Sequence, residues 1–119
     1  MSQAKVIQEV IRENENVFLA ICVEMKNAVC LFLSETENQL GTVAIAIPQT
    51  ETRVDPPLSS ILLGGRNMVI TRILAEHLAE KMSKTAFVSI FIKTINEREA
   101  SPILLRLLEK TIEKGDVQE

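Results

Sequence analysis

Few residues of this chain carry side chains that do chemistry, and they join no recognised catalytic pattern. His77 is the only histidine. One imidazole cannot build a zinc site, and no Cys or His stands at ligand spacing from it. It reads as the edge of a packed helical stripe. Glu76 and Glu80 share a helix side and read as solvated carboxylates. Cys22 and Cys30 lie inside apolar runs, in mid-strand, where substrate access is poor. A Cys–His nucleophile pair is spatial, so sequence alone leaves it open. In LLGGRNMVIT, Gly64 and Gly65 separate an apolar run from a helix. A phosphate loop needs GxxxxGK[ST], and here the second glycine and the lysine are missing. Arg66 at a helix N-terminus leaves an anion site open, but the simpler reading is a reversal that other residues would strain. Nothing marks phosphoryl, acyl or hydride transfer.

The chain has 119 residues, enough for a single domain (1–119) with its own core. Hydrophobic residues make up 46% and the net charge is -3. The 13 Lys and Arg are scattered, and there are four Phe but no Trp or Tyr. Nucleic acid is therefore not an expected partner, because it needs a concentrated basic face and stacking aromatics. No apolar stretch reaches the roughly 18 residues of a membrane helix, and the N-terminus lacks a signal-peptide core. The expectation is a soluble, intracellular, cytoplasmic protein without membrane contact, its two thiols reduced.

The elements that must position these residues follow from periodicity. VFLAICVEM (17–25) and AVCLFL (28–33) are strands with apolar residues on both faces, joined by Lys26-Asn27. A two-residue turn would set Cys22 against Leu31 and Val23 against Cys30, placing the cysteines on opposite faces. TVAIAIP (42–48) is a strand with bulky Val43, Ile45 and Ile47 on one face and small residues on the other, the latter suited to close approach by a helix. Residues 49–60, QTETRVDPPLSS, read as a mobile loop, functional or merely tolerated. ILL (61–63) supplies a short strand. A helix follows with Asn67 as N-cap, then strand AFVSIFIK (86–93). The last helix is capped by Ser101, with Pro102 at its first position and Gly115 as its stop, so 115–119 should fray. Residues 4–12 stay ambiguous, because helical spacing competes with β-branched character. The class is α+β: an antiparallel sheet of about five to six strands with two helices packed on it. Two apolar strand faces demand cover on both sides, from helices, a second sheet or a partner subunit.

GTVAIAIP, a variable polar loop, LLG, a helix with AEHLAEKMS, strand AFVSIFIK and a closing helix with LLRLLEKTI follow one another in this order. From about residue 5 to 114 the chain resembles the third and fourth types of proteasome assembly chaperone. The resemblance implies an extended N-terminal segment, a homodimer or a heterodimer with a related chain, and binding to proteasome alpha subunits during ring assembly. It also implies no catalytic residues and no cofactor, with the glycine pair as a structural turn. The loop between IP and LLG is the family's candidate partner contact. Within it, chemistry and position select Glu51, Arg53 and Asp55 as charged contacts and Val54 and Leu58 as anchors. Two other readings compete. A roadblock-like dimeric scaffold would begin with a helix over 4–12. A small ligand-binding protein would use the Gly64-Gly65 turn and His77.

Overall fold

A computed structural model describes residues 4–49 and 58–117. The order is β1 (Lys5–Glu13), β2 (Asn16–Glu24), β3 (Ala28–Glu35), β4 (Thr42–Ile47), β5 (Leu58–Leu63), α1 (Met68–Met82), β6 (Thr85–Phe91) and α2 (Glu97–Val117). Six strands form one open sheet in the order β1-β2-β3-β6-β4-β5. Every neighbouring pair is antiparallel except β3–β6, which is parallel. The α+β expectation holds. The parallel pair was not anticipated, because β6 enters the sheet between strands that precede it in sequence.

The N-terminal segment is a strand. Isolated β-branched residues gain from pairing, and Lys5 to Glu13 pair with Glu24 to Asn16. Asn14 and Glu15 both adopt left-handed backbone at the turn, which matches the twist of a tight hairpin. The helix over 4–12 that a roadblock-like chain requires is not formed. At the next turn, the Met25 N–H donates to the Ala28 carbonyl at 2.8 Å. The register is the expected one, Cys22 against Leu31 and Val23 against Cys30.

Both helices cover the same sheet face, α1 over β4, β5 and β6 and α2 over β1 and β2. The core lies beneath them. Phe18, Leu31, Leu33, Val88 and Ile90 point up from the sheet, and Leu74, Leu78, Leu104 and Leu108 point down from the helices. Burying each such side chain stabilises the fold by about 1.5–3 kcal/mol. The small face of β4 does what its residues suggest. Ala44 and Ala46 are fully buried, as are Ala75 and Ala79 on α1. Methyl-sized groups on both elements let the helix seat close to the strand.

Several element ends differ from the sequence reading, β6 among them, which closes at Phe91 instead of Lys93. β5 begins at Leu58, not Ile61, because Ile47 and Ala46 supply partners for Leu58 and Ser59. Asn67 does precede α1, but its amide donates to the Ile92 carbonyl instead of capping. A residue from the other helix supplies the cap: the Glu97 carboxylate accepts the Ile70 N–H at 2.7 Å. α2 starts one turn before Ser101. Asn96 Oδ1 accepts the Glu99 N–H at 2.8 Å, and the acidic Glu97 and Glu99 suit that helix end. Pro102 is therefore inside the helix, in its second turn, where the backbone ladder has already begun at Ala100 and the Arg98 carbonyl goes without its usual donor. The helix also continues past Gly115 to Val117. Gly115 is buried against β1, and a Cβ there would stand 2.5 Å from Ile7 Cδ1. It permits close helix–strand approach; it does not stop the helix.

Candidate protein-interaction surfaces

The sheet face opposite the helices is the most unusual feature of the molecule. Its residues follow from period two: Leu19, Ile21 and Val23 on β2, Cys30 and Phe32 on β3, Phe87 on β6, Val43 and Ile45 on β4. On these four central strands no charged side chain points to this face. No helix covers it among the described residues. The side chains are half-buried, by one another and, at one end, by the connection 36–41. Toward the edges the exposure rises, at Val6, Ile47 and Leu58. An uncharged apolar sheet face of this extent marks a protein interface in a folded domain.

The connection 36–41 folds over one end of that face. The Gly41 N–H donates to Ser89 Oγ at 2.9 Å, which holds the segment down. Leu40 then stands 59% exposed above Phe32, between hollows of about 300 and 220 Å³. Those hollows are lined by Ile21, Phe32, Cys30, Val43 and Phe87 and could seat aliphatic side chains of a partner.

The two thiols occupy different worlds, as the register requires. Cys22 is buried under the helices, and burial, helped by the neighbouring Glu24 charge, pushes its thiol up to about 11. Cys30 is on the bare face, half-buried, its thiol also raised by burial. Neither is a ready thiolate.

The glycine pair is a turn between β5 and α1. Gly64 has φ +89°, and a Cβ there would press on Thr42 at 2.7 Å. The Thr42 hydroxyl donates to the Arg66 carbonyl, tying the turn to β4. An open cleft of about 540 Å³ lies beside it, lined by Gly64, Arg66, Asn67 and Lys93 among others. Arg66 is already engaged, donating to the Lys93 carbonyl at 2.9 Å. His77 reaches neither this cleft nor the cysteines. Its Nε2 lies 2.7 Å from Glu109 Oε1 on α2, and Lys81 Nζ lies 3.1 Å from Glu109 Oε2. The hydrogen bond from His77, with help from Lys81, holds the Glu109 carboxyl below its ordinary 4.5 despite partial burial.

Glu76 and Glu80 are more than solvated carboxylates. Glu76 accepts the Ser59 hydroxyl, and Glu80 accepts the Gln49 N–H at 2.9 Å. Together they anchor α1 to the strand ends on either side of 50–57. Glu35 was not foreseen either. It is buried at the end of β3 and accepts bonds from the Lys93 N–H, the Thr94 N–H and the Thr94 hydroxyl. Burial alone would raise its carboxyl, but these bonds and the nearby Arg66 hold it below 4.5. A carboxylate directly after an apolar strand, before a break, was the available signal.

Of the expected partner-contact residues, Glu51, Arg53, Val54 and Asp55 lie outside the described residues. Leu58 is described: it opens β5 and is 56% exposed beside Ile47. Among the described residues, no three His, Cys, Asp or Glu gather as a metal site. Among the same residues, no helix is long and apolar enough to cross a membrane.

Residues 17–92 match the profile of the family described as Proteasome assembly chaperone 4. The chain belongs to that family. The matched span runs from β2 through β6, so it includes the whole bare face except β1. A chain in the crystal structure of a novel chaperone complex for yeast 20S proteasome assembly is similar in fold, with TM-score 0.70 at 16% sequence identity over 96% of each chain. That likeness includes β1 and α2, beyond the family match. No curated protein sequence matches.

Proposed function

We propose that this chain is a non-enzymatic chaperone of 20S proteasome alpha-ring assembly, acting in the cytoplasm and binding alpha subunits as a dimer. Family membership supports the assembly role. The uncharged, helix-free sheet face carries the pairing, because it exposes apolar area that water penalises until a second surface covers it. Two such sheets stacked face to face would sit about 10 Å apart, their side chains interleaved. The second sheet comes from another copy or from a related chaperone chain.

Alpha-subunit contact then falls chiefly to residues outside that face, with Leu58 at its margin. Glu51, Arg53, Val54, Asp55 and Leu58 are the proposed contact residues, with the charges steering encounter and the apolar pair anchoring. Release needs a difference in affinity: the chaperone must bind the incomplete ring better than the finished one. Steric conflict with an incoming beta subunit would provide it. Catalysis, cofactor and nucleic acid play no part in this reading.

The test is capture from native lysate followed by mass spectrometry. Recovery of proteasome alpha subunits, reduced by reversing the charges of Glu51, Arg53 and Asp55, is the expected result. Failure to recover any alpha subunit would overturn the proposal.

A further inference from the structure

The sheet has two edges, and they are treated differently. At β1, side chains occupy the outward backbone groups. Lys114 Nζ donates to the Gln8 carbonyl at 2.7 Å and Lys110 Nζ to the Val10 carbonyl at 3.4 Å. Glu9 accepts the Val10 N–H at 3.0 Å. Charged side chains laid along an edge prevent another strand from adding there.

At β5 nothing comparable is present among the described residues. Its sequence, LSSILL, has no charge and no proline. Among the described residues, no side chain bonds to its outer backbone groups; Arg72 and Glu76 reach only the Ser59 hydroxyl. Leu58 and Leu62 are both more than half exposed. A register shift opposite Val43 and Ala44 leaves Leu62 as an extra residue, so the regular open stretch is Leu58 to Ile61.

We propose that this edge takes up an extended, uncharged, aliphatic segment of the protein under assembly as a seventh strand. The proposal rests on the assembly-chaperone reading. The short length of the edge selects the occupant. Four residues span about 13 Å, and a contact that small falls far below the roughly 1,200 Å² that a stable pairing of two copies needs. It suffices as a secondary contact for a partner held elsewhere, where the second binding event is intramolecular. The chemistry of the segment follows from what β5 already accepts. Its inner side pairs with TVAIAI of β4, uncharged and aliphatic at alternate positions. The outer edge presents backbone groups flanked above and below the sheet by the uncharged side chains of β5, and backbone bonds give such an added strand its affinity.

The probe is a synthetic, end-capped peptide of the β4 sequence with a solubilising polyether tail, titrated into the labelled full chain and read by backbone amide NMR. Shifts concentrated at Leu58 to Ile61, absent from β1 and weakened at least tenfold by Leu58→Lys or Ser60→Lys, are expected. Shifts confined to the bare sheet face, shifts of equal size at β1, or none at β5 would overturn it. So would broadening of β5 amides with protein concentration alone, which would assign the edge to a second copy. In a parallel arm, Ser60→Lys, which keeps the proposed contact residue Leu58, is tested for alpha-subunit capture, with circular dichroism checking the fold and native mass spectrometry checking that pairing persists. Capture weakened tenfold or more supports the edge contact. Undiminished capture sinks the edge and leaves the chaperone reading standing. Failure of wild-type capture sinks that reading, while the peptide titration still decides the edge.

Discussion

Glu35 and Thr94 are joined at the end of the sheet: the Thr94 hydroxyl donates to Glu35 Oε2 at 2.5 Å, and the Thr94 N–H donates to Oε1 at 2.7 Å. The residues are far apart in sequence, and their link fixes where the chain leaves β6 toward α2. A carboxylate held ionised in this way makes folding sensitive to acid. Its folded-state value lies below its unfolded one, so its contribution is fully present above the unfolded value near 4.5 and is lost as pH falls through the lower folded value. Glu109 acts in the same direction. Urea denaturation at pH 7 and at successive steps below 4.5 should show wild-type stability falling, with a flatter profile for Glu35→Gln. At pH 7, Glu35→Ala should lose about 1–3 kcal/mol, because buried donors lose their acceptor.

The clasp between the helices is weaker. His77 and Glu109 are both substantially exposed, and such pairs contribute about 0.2–1 kcal/mol. His77→Ala should therefore destabilise the fold by no more than about 1 kcal/mol in urea denaturation and leave alpha-subunit capture unchanged. A large loss of capture would mean that His77 does something beyond joining α1 to α2.

Gly64→Ala should cost more. The new side chain must adopt φ +89° and meets Thr42. Strained backbone of this kind costs about 1–3 kcal/mol, and the drop should appear as a lower thermal midpoint. If the turn were only a passive hinge, the midpoint would not move.

Cys30 reports on the bare face. Cys22 is buried, and its thiol near 11 makes it inert at neutral pH. Cys30 should be labelled slowly by a maleimide in dilute protein and be protected as concentration drives pairing. Phe32→Lys should abolish that protection, because a charge on this face must be desolvated to pair. Protection independent of concentration and of Phe32 would argue against face-to-face pairing.

The fold was legible where local pattern and tertiary demand agreed. Period two over 17–33 gave both strands, their register and the separation of the cysteines, because a two-residue turn leaves no freedom in which residues oppose each other. The small face of β4 foretold the close seat of α1. The strand at Lys5 to Glu13 did not follow from its own periodicity, since pairing with β2 decides it; only the family resemblance implied it. Ser101-Pro102 imitates a helix start, whereas α2 begins at Glu97 behind the Asn96 cap. Gly115 looked like a stop because its tight packing on Ile7 is a long-range fact. The candidate surface was legible in half. Two-sided apolar strands announced a need for cover on both faces, yet only the topology shows which face the helices leave bare. Glu35, Glu97 and Glu109 act through contacts distant in sequence, which spacing cannot reveal.

Native mass spectrometry of the purified protein, alone and mixed with proteasome alpha subunits, tests the central claim most directly. The account predicts a dimer, with itself or a related chain, and a larger species in which that dimer holds an alpha subunit. A monomer that joins neither a second chaperone chain nor any alpha subunit would contradict it.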